Sequence, residues 1–241
     1  MTDLIYFFVR ANDYRQMLVE CIKSLRGAGG YRGDILVFAE TICPLMNGLA
    51  NSPGVMVQHA TWMRDAPIML DRITAAQHIP LPQCYRTITL LDSDILAVGD
   101  ISPLLDDENA VRYMEEPWQI YGELKPGHPT DMYLSAMTPA ERASVTGLHP
   151  INVGHITWPG HLHVGLISAW IATIAATPDV WGRDQATFNA IIRRGLVYSR
   201  PYGVLDVANA TMTPEKAWCQ YRLVHFAGYG NRLQKMRALT K

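Results

Sequence analysis

Apolar positions change their spacing several times along this chain, and each change predicts an element. Residues 4–9 form an unbroken run of aliphatic and aromatic side chains, which predicts a strand buried on both faces. From Asp13 the period lengthens. Tyr14, Met17, Leu18, Cys21, Ile22 and Leu25 recur at helical spacing, with Asp13 as the expected cap and Gly27, Gly29 and Gly30 as the stop. Residues 35–39 and 55–58 read as the second and third strands. A helix is predicted over 67–78 with Pro67 in its first turn, and residues 86–91 make a fourth strand. This alternation predicts an α/β fold with right-handed crossovers and a mainly parallel central sheet flanked by helices. Ligands would then sit at the C-terminal ends of the strands.

After Asp100 the rhythm is broken. Pro and Gly crowd residues 117–129, predicting a loop-rich region that shapes or covers a site. Thr138, Pro139 and Glu141 occupy the positions of a capping box. A short segment at 152–156 precedes an apolar helix over 162–176. A second helix is predicted over 184–194, with Asp184 at its N-cap, and strands over 196–199 and 221–226. Neither an internal repeat nor a linker long enough to separate domains is visible, so one domain over 1–241 is expected.

Composition narrows the classes. With 49% apolar residues, 18% charged residues and a net charge of −1, the chain has no global field to draw in nucleic acid or an anionic membrane. The basic cluster Arg222, Arg232, Lys235 and Arg237 reads as a solvated face. Cys21, Cys43, Cys84 and Cys219 are scattered, as for reduced and mostly buried thiols. The apolar N-terminus lacks a basic leader region, and residues 164–176 are too few to cross a bilayer. A cytoplasmic protein without a membrane span is expected.

The chemistry centres on Asp92 and Asp94, which leave the fourth strand two residues apart. On an extended backbone both would point from one face, and paired hard oxygens suit Mg²⁺ or Mn²⁺. Strand ends and turns carry such pairs without a metal as well. Other groups have plainer readings. His161 and His163 flank a helix start with no third ligand near them. Glu115 and Glu116 before Pro117 read as a solvated turn, and Trp62, Trp118 and Trp158 as packing residues.

Four segments in order carry a resemblance that spans most of the chain. They are Phe8-Val9-Arg10-Ala11-Asn12-Asp13-Tyr14; Leu91-Asp92-Ser93-Asp94; Asn152-Val153-Gly154 with Asp184-Gln185 and Asn189; and His225-Phe226-Ala227-Gly228. Together they resemble glycosyltransferase family 8, the glycogenin-like and bacterial galactosyltransferase-like enzymes of GT-A fold. The resemblance implies a metal-dependent, retaining transfer of a hexose-like sugar from a nucleotide diphosphate, UDP expected, to an acceptor. Glycan, protein and modified nucleic acid all remain open as that acceptor. It also implies a nucleotide-binding half over 1–100 and a sugar- and acceptor-binding half over 101–241.

By the same resemblance Asp92, Asp94 and His225 would hold Mn²⁺ or Mg²⁺, and Asp92 and Ser93 would also contact the nucleotide. Val9, Ala11, Asn12 and Tyr14 would surround base and ribose, with Tyr14 stacking. Arg72 would face the phosphates, and Asn152 and Gly154 the donor sugar. Asp184 and Gln185 would bond sugar hydroxyls near the reacting carbon. Gly228 and Arg232 complete the set. The family's C-terminal motif continues to a Lys, where this chain has Asn231, with Arg232 one step along and Lys235 further on. Two rival readings are a sugar-phosphate nucleotidyltransferase and a non-catalytic nucleotide-sugar-binding protein. The first lacks a Gly-rich basic signature after the first strand.

Overall fold

Strand β1 (Thr2–Val9) lies between β2 (Asp34–Ala39) and β4 (Tyr85–Leu91) and is parallel to both. Beyond β2, β3 (Val55–His59) extends the parallel edge. On the other side β7 (Ile151–Pro159) runs antiparallel to β4 and to β6 (Val111–Glu115), and β8 (Ser199–Pro201) closes that edge parallel to β6. The seven-stranded order is β3-β2-β1-β4-β7-β6-β8. The computed structural model describes residues 1–10, 12–64, 70–116, 119–121, 134–178, 182–228 and 230–240.

The unbroken apolar run of β1 follows from its central place. Ile5, Phe7 and Val9 face one layer, where they join Met17, Leu18 and Cys21 of helix α1 (Asn12–Arg26). Leu4 and Tyr6 face the other. There they join Ile73 of α3 (Asp71–Gln77), Leu166 and Trp170 of α6 (His163–Ala175) and Phe188 of α7 (Arg183–Arg193). A strand with helices on both faces cannot alternate apolar with polar. A second sheet, β5 (Ile95–Ala97), β10 (Leu223–His225) and β9 (Val207–Asn209), covers the first layer, and α8 (Arg232–Leu239) packs there against α1 through the buried Met236.

Several expectations change. Helix α2 (Pro44–Ala50), α4 (Ser102–Leu105), β5, β6 and β9 have no counterpart in the sequence reading; at three to seven residues each, they hold too few repeats to show a period. Among the short helices α3, inside the helix expected over 67–78, and the box-capped α5 (Pro139–Ser144) were legible, and Thr138 and Glu141 do make both capping bonds. The strand expected over 196–199 forms three residues later as β8, and Leu196 and Tyr198 are exposed. Asp184 is not the cap of α7. Gly182, at φ 74°, takes that place, and Asp184 lies inside the first turn. Of the cysteines only Cys21 is buried. Pro67, Trp118 and most of the loop expected over 117–129 lie outside the described residues.

Candidate metal and nucleotide site

Strand β4 ends at Leu91, and the next three residues turn, so the aspartates do not share a face of an extended strand as expected. The turn carries the chain from the large sheet to the small one. The Asp92 N–H donates to Gly154 O of β7 at 2.8 Å, and the Phe226 N–H donates to Asp94 O at 2.9 Å. Antiparallel pairing of β5 with β10 sets His225 opposite Ile95. An imidazole from near the C-terminus thereby arrives beside both carboxylates.

His225 Nε2 lies 3.4 Å from Asp94 Oδ1 and 3.9 Å from Asp92 Oδ2. One donor atom from each of the three residues falls within 4.8 Å of the others, the one such cluster among the described residues. Beneath them is Gly154, where a Cβ would stand under 3 Å from Asp92 Oδ2, His225 Cε1 and Asn152 Oδ1. Its glycine is required for space; it makes room for the cluster, where the sequence reading had it admit a sugar. Asn152 is fixed at both ends. Its Oδ1 accepts from the Gly154 N–H, and its Nδ2 donates to Glu116 Oε1, each at 2.7 Å. Glu116 is buried, so the solvated turn expected there is not what forms.

Two guanidiniums flank the acids. Arg72 Nε lies 3.0 Å from Asp184 Oδ2 and its Nη2 3.7 Å from Asp92 Oδ1. Arg232 Nη1 lies 2.8 Å from Asp94 Oδ2, and its Nη2 donates to the Tyr14 hydroxyl at 3.0 Å. Burial raises the Asp92 carboxyl above its ordinary range, with Arg72 opposing. Burial also works against the Asp94 charge, yet the His225 and Arg232 contacts outweigh it and hold that carboxyl low. For His225 burial works against the proton, but the bond to Asp94 and both acidic charges win, so its pKa is raised.

The donor set fits a small divalent cation. Two carboxylates and an imidazole are ligands that Mn²⁺ and Mg²⁺ accept. Among the described residues the buried His225 Nδ1 has no hydrogen-bond partner, so its ring is placed by the acidic pair at Nε2 and not by the outer acceptor that a ligating histidine commonly has.

A crevice of about 440 Å³ opens over this cluster at the C-terminal ends of β1 and β4. It brings together Val9, Tyr14, Arg72, Asp92, Ser93, Asp94, Asn152, Gln185, His225, Gly228 and Arg232 from the expected set. Three others are placed differently. Asn12 does not line the crevice, and its Oδ1 accepts from Arg15 Nη1 at 3.1 Å within the first turn of α1. Gly154 lies below the cluster, and Asp184 is wholly buried behind Arg72. Ala11 lies outside the described residues. Lys235 pairs with Glu215 and does not line the crevice, so of the two candidates for the family's Lys it is Arg232 that does.

The sequence reading missed Phe8, Arg10, Asp71 and Ala227, which also line the crevice. Arg10 Nε stands 2.5 Å from Asp71 Oδ2. Their signal was adjacency, Arg10 to β1 and Asp71 to Arg72. The basic cluster is partly exposed, and Arg222, Arg232, Lys235 and Arg237 each pair with a different acid. His163, at the start of α6, is buried, accepts from Trp158 Nε1 and bonds Ala76 O, so it is a core histidine. Trp158 is buried and Trp62 stacks on His78. A larger groove of about 940 Å³ between α1 and α8 meets the crevice at Tyr14 and Arg232 but is lined by none of the three cluster residues.

No protein-family profile and no curated protein sequence matches this chain. Solved structures do. The galactosyltransferase LgtC, bound to donor and acceptor sugar analogs, is similar at TM-score 0.62 and 15% identity over 99% of this chain and 95% of that one. An active-site mutant of LgtC is similar at TM-score 0.68 and 12% identity, over 98% and 94%. The apo bifunctional glycosyltransferase WbbM is similar at TM-score 0.60 and 12% identity over 100% of this chain, which spans 49% of WbbM. What is shared at these identities is architecture: the chain has the GT-A fold.

Proposed function

We propose that this protein is a metal-dependent hexosyltransferase that moves a sugar from a nucleotide diphosphate, UDP in the first instance, to an acceptor hydroxyl with retention of configuration. The observation that carries it is the meeting of Asp92, Asp94 and His225 in the lining of the crevice in a GT-A fold. Asp92, Asp94 and His225 would hold Mn²⁺ or Mg²⁺, which when bound supplies Lewis-acid stabilisation of a departing diphosphate. Tyr14 and the backbone at Val9 hold the nucleoside. Arg232, standing near the family's missing Lys, supplies positive charge to the diphosphate. Arg72 orients Asp92 and is itself oriented by Asp184, which acts through it. Gln185 and Asn152 face the donor sugar. One LgtC neighbour is described as an active-site mutant in which Gln is replaced by Glu, and Gln185 is a glutamine that lines this crevice.

The acceptor is a glycan, a protein or a modified nucleic acid. Among the described residues no helix is long and apolar enough to cross a membrane. The test is incubation with UDP-hexoses and Mn²⁺, with and without EDTA, for the wild type and Asp94→Asn. UDP release that needs metal and is lost in the variant supports the reading. Binding without turnover, or pyrophosphate formation from a nucleoside triphosphate, overturns it.

A further inference from the structure

Arg232 reaches two parts of the crevice at once. Besides its contact with Asp94 and its bond to the Tyr14 hydroxyl, its guanidinium carbon stands 4.9 Å from the Tyr14 ring centroid. The helix that carries it is anchored elsewhere. Met236 is fully buried, Lys235 Nζ pairs with Glu215 Oε1 at 2.5 Å, and Arg237 Nη2 donates to Gln16 Oε1 at 2.7 Å. The Arg232 side chain is 30% exposed, and none of the contacts that anchor α8 involves it.

The cluster residue Asp94 therefore faces two partners, one on each carboxylate oxygen. Its Oδ1 faces the His225 side and its Oδ2 faces the guanidinium. A divalent cation held by Asp94 would share one carboxylate with Arg232, and two positive charges on one carboxylate repel. A diphosphate offers the guanidinium oxygens that it can grip through two parallel N–H bonds. It would draw Arg232 off both Asp94 and the Tyr14 ring.

We propose that Arg232 is a latch that couples cation binding to nucleotide binding. Docked on Asp94 and Tyr14, it keeps cation affinity low in the nucleotide-free protein. A diphosphate releases it, and cation and nucleotide then each tighten the other. The latch rests on the reading of the crevice as a nucleotide-sugar site. Coupling of this kind is reciprocal, so each ligand changes the other's affinity by the same factor.

The test is titration calorimetry of the wild type, Arg232→Met and Arg232→Lys with Mn²⁺ alone, UDP alone, and Mn²⁺ at saturating UDP. Mn²⁺ alone is expected to bind Arg232→Met about tenfold tighter than wild type. UDP should tighten Mn²⁺ about tenfold or more in the wild type and by much less in Arg232→Met. Arg232→Lys keeps the charge without the fork and should fall between; it also decides the matter if the Met variant does not fold. Equal Mn²⁺ affinity in all three proteins, with equal tightening by UDP, overturns the latch and leaves the proposed function standing. No Mn²⁺ uptake by any of them, even with UDP, overturns both.

Discussion

Gly154 and Asp92 meet so closely that no side chain fits between them: a Cβ on residue 154 would stand 2.6 Å from Asp92 Oδ2. The same Cβ would meet His225 Cε1 at 2.7 Å. Two members of the acidic cluster are thus positioned by the absence of an atom on a neighbouring strand.

Gly154→Ala should accordingly separate fold from function. Overpacking of this kind costs about 1–3 kcal/mol, which urea unfolding will register as a modest loss. The displaced Asp92 and His225 should cost far more, about 10²-fold in metal-dependent UDP release, since misplacement near 1 Å has that effect. Wild-type activity in a folded Gly154→Ala would refute the packing account.

Arg72 and Asp184 form a buried pair in which removing either partner has unequal consequences. Arg72→Met leaves Asp184 wholly buried without the guanidinium paired to it, and breaking a buried pair in this way costs about 3–5 kcal/mol. Asp184→Asn leaves Arg72 its contact with Asp92 and should cost less. Thermal unfolding of the two variants should rank them in that order; the reverse order would place the weight of the pair on Asp184.

His155 links stability to acid. It is 2% exposed and stacks on Tyr202 at 4.4 Å. Burial, with help from the charges of His225 and Arg112, pulls its pKa from 6.5 down to about 3. The unfolded chain therefore takes up this proton well before the folded one. The stability carried by neutral His155 is complete above pH 6.5 and is lost as pH falls toward 3, by about 1.4 kcal/mol per pH unit. Denaturant midpoints between pH 7 and pH 5 should fall more steeply for the wild type than for His155→Phe. Parallel curves would show that the group does not titrate as its surroundings demand.

Glu116 positions Asn152. In Glu116→Ala the Asn152 amide loses its buried acceptor, at a cost of about 1–3 kcal/mol. Turnover should fall more than donor binding if Asn152 faces the sugar. A variant changed only in stability, with kcat and KM intact, would reduce Glu116 to a structural residue.

The legible parts of this fold were those with enough length to repeat. β1 declared itself by an unbroken apolar run, α1 by helical period, α6 by the length of its apolar stretch, and the Thr138–Glu141 box by its chemistry. Short elements such as β5 and β6 did not, although β5 is what sets His225 beside Asp94. Glu116 looked like a surface charge because its burial comes from its place beyond β6, against Asn152. Asp184 looked like a cap because its real partner, Arg72, lies more than a hundred residues earlier in the chain.

By itself the chain determined which residue types were available: a carboxylate pair after a buried strand, a histidine before Phe-Ala-Gly, and alternating strands and helices whose local periods are set by backbone geometry. The tertiary structure decided which of them touch. Side-chain encounters between distant segments depend on sheet order and register, and these are fixed by the packing of the whole core. The pairing of β5 with β10, the empty Cβ position at Gly154 and the reach of Arg232 to Asp94 are all of that kind.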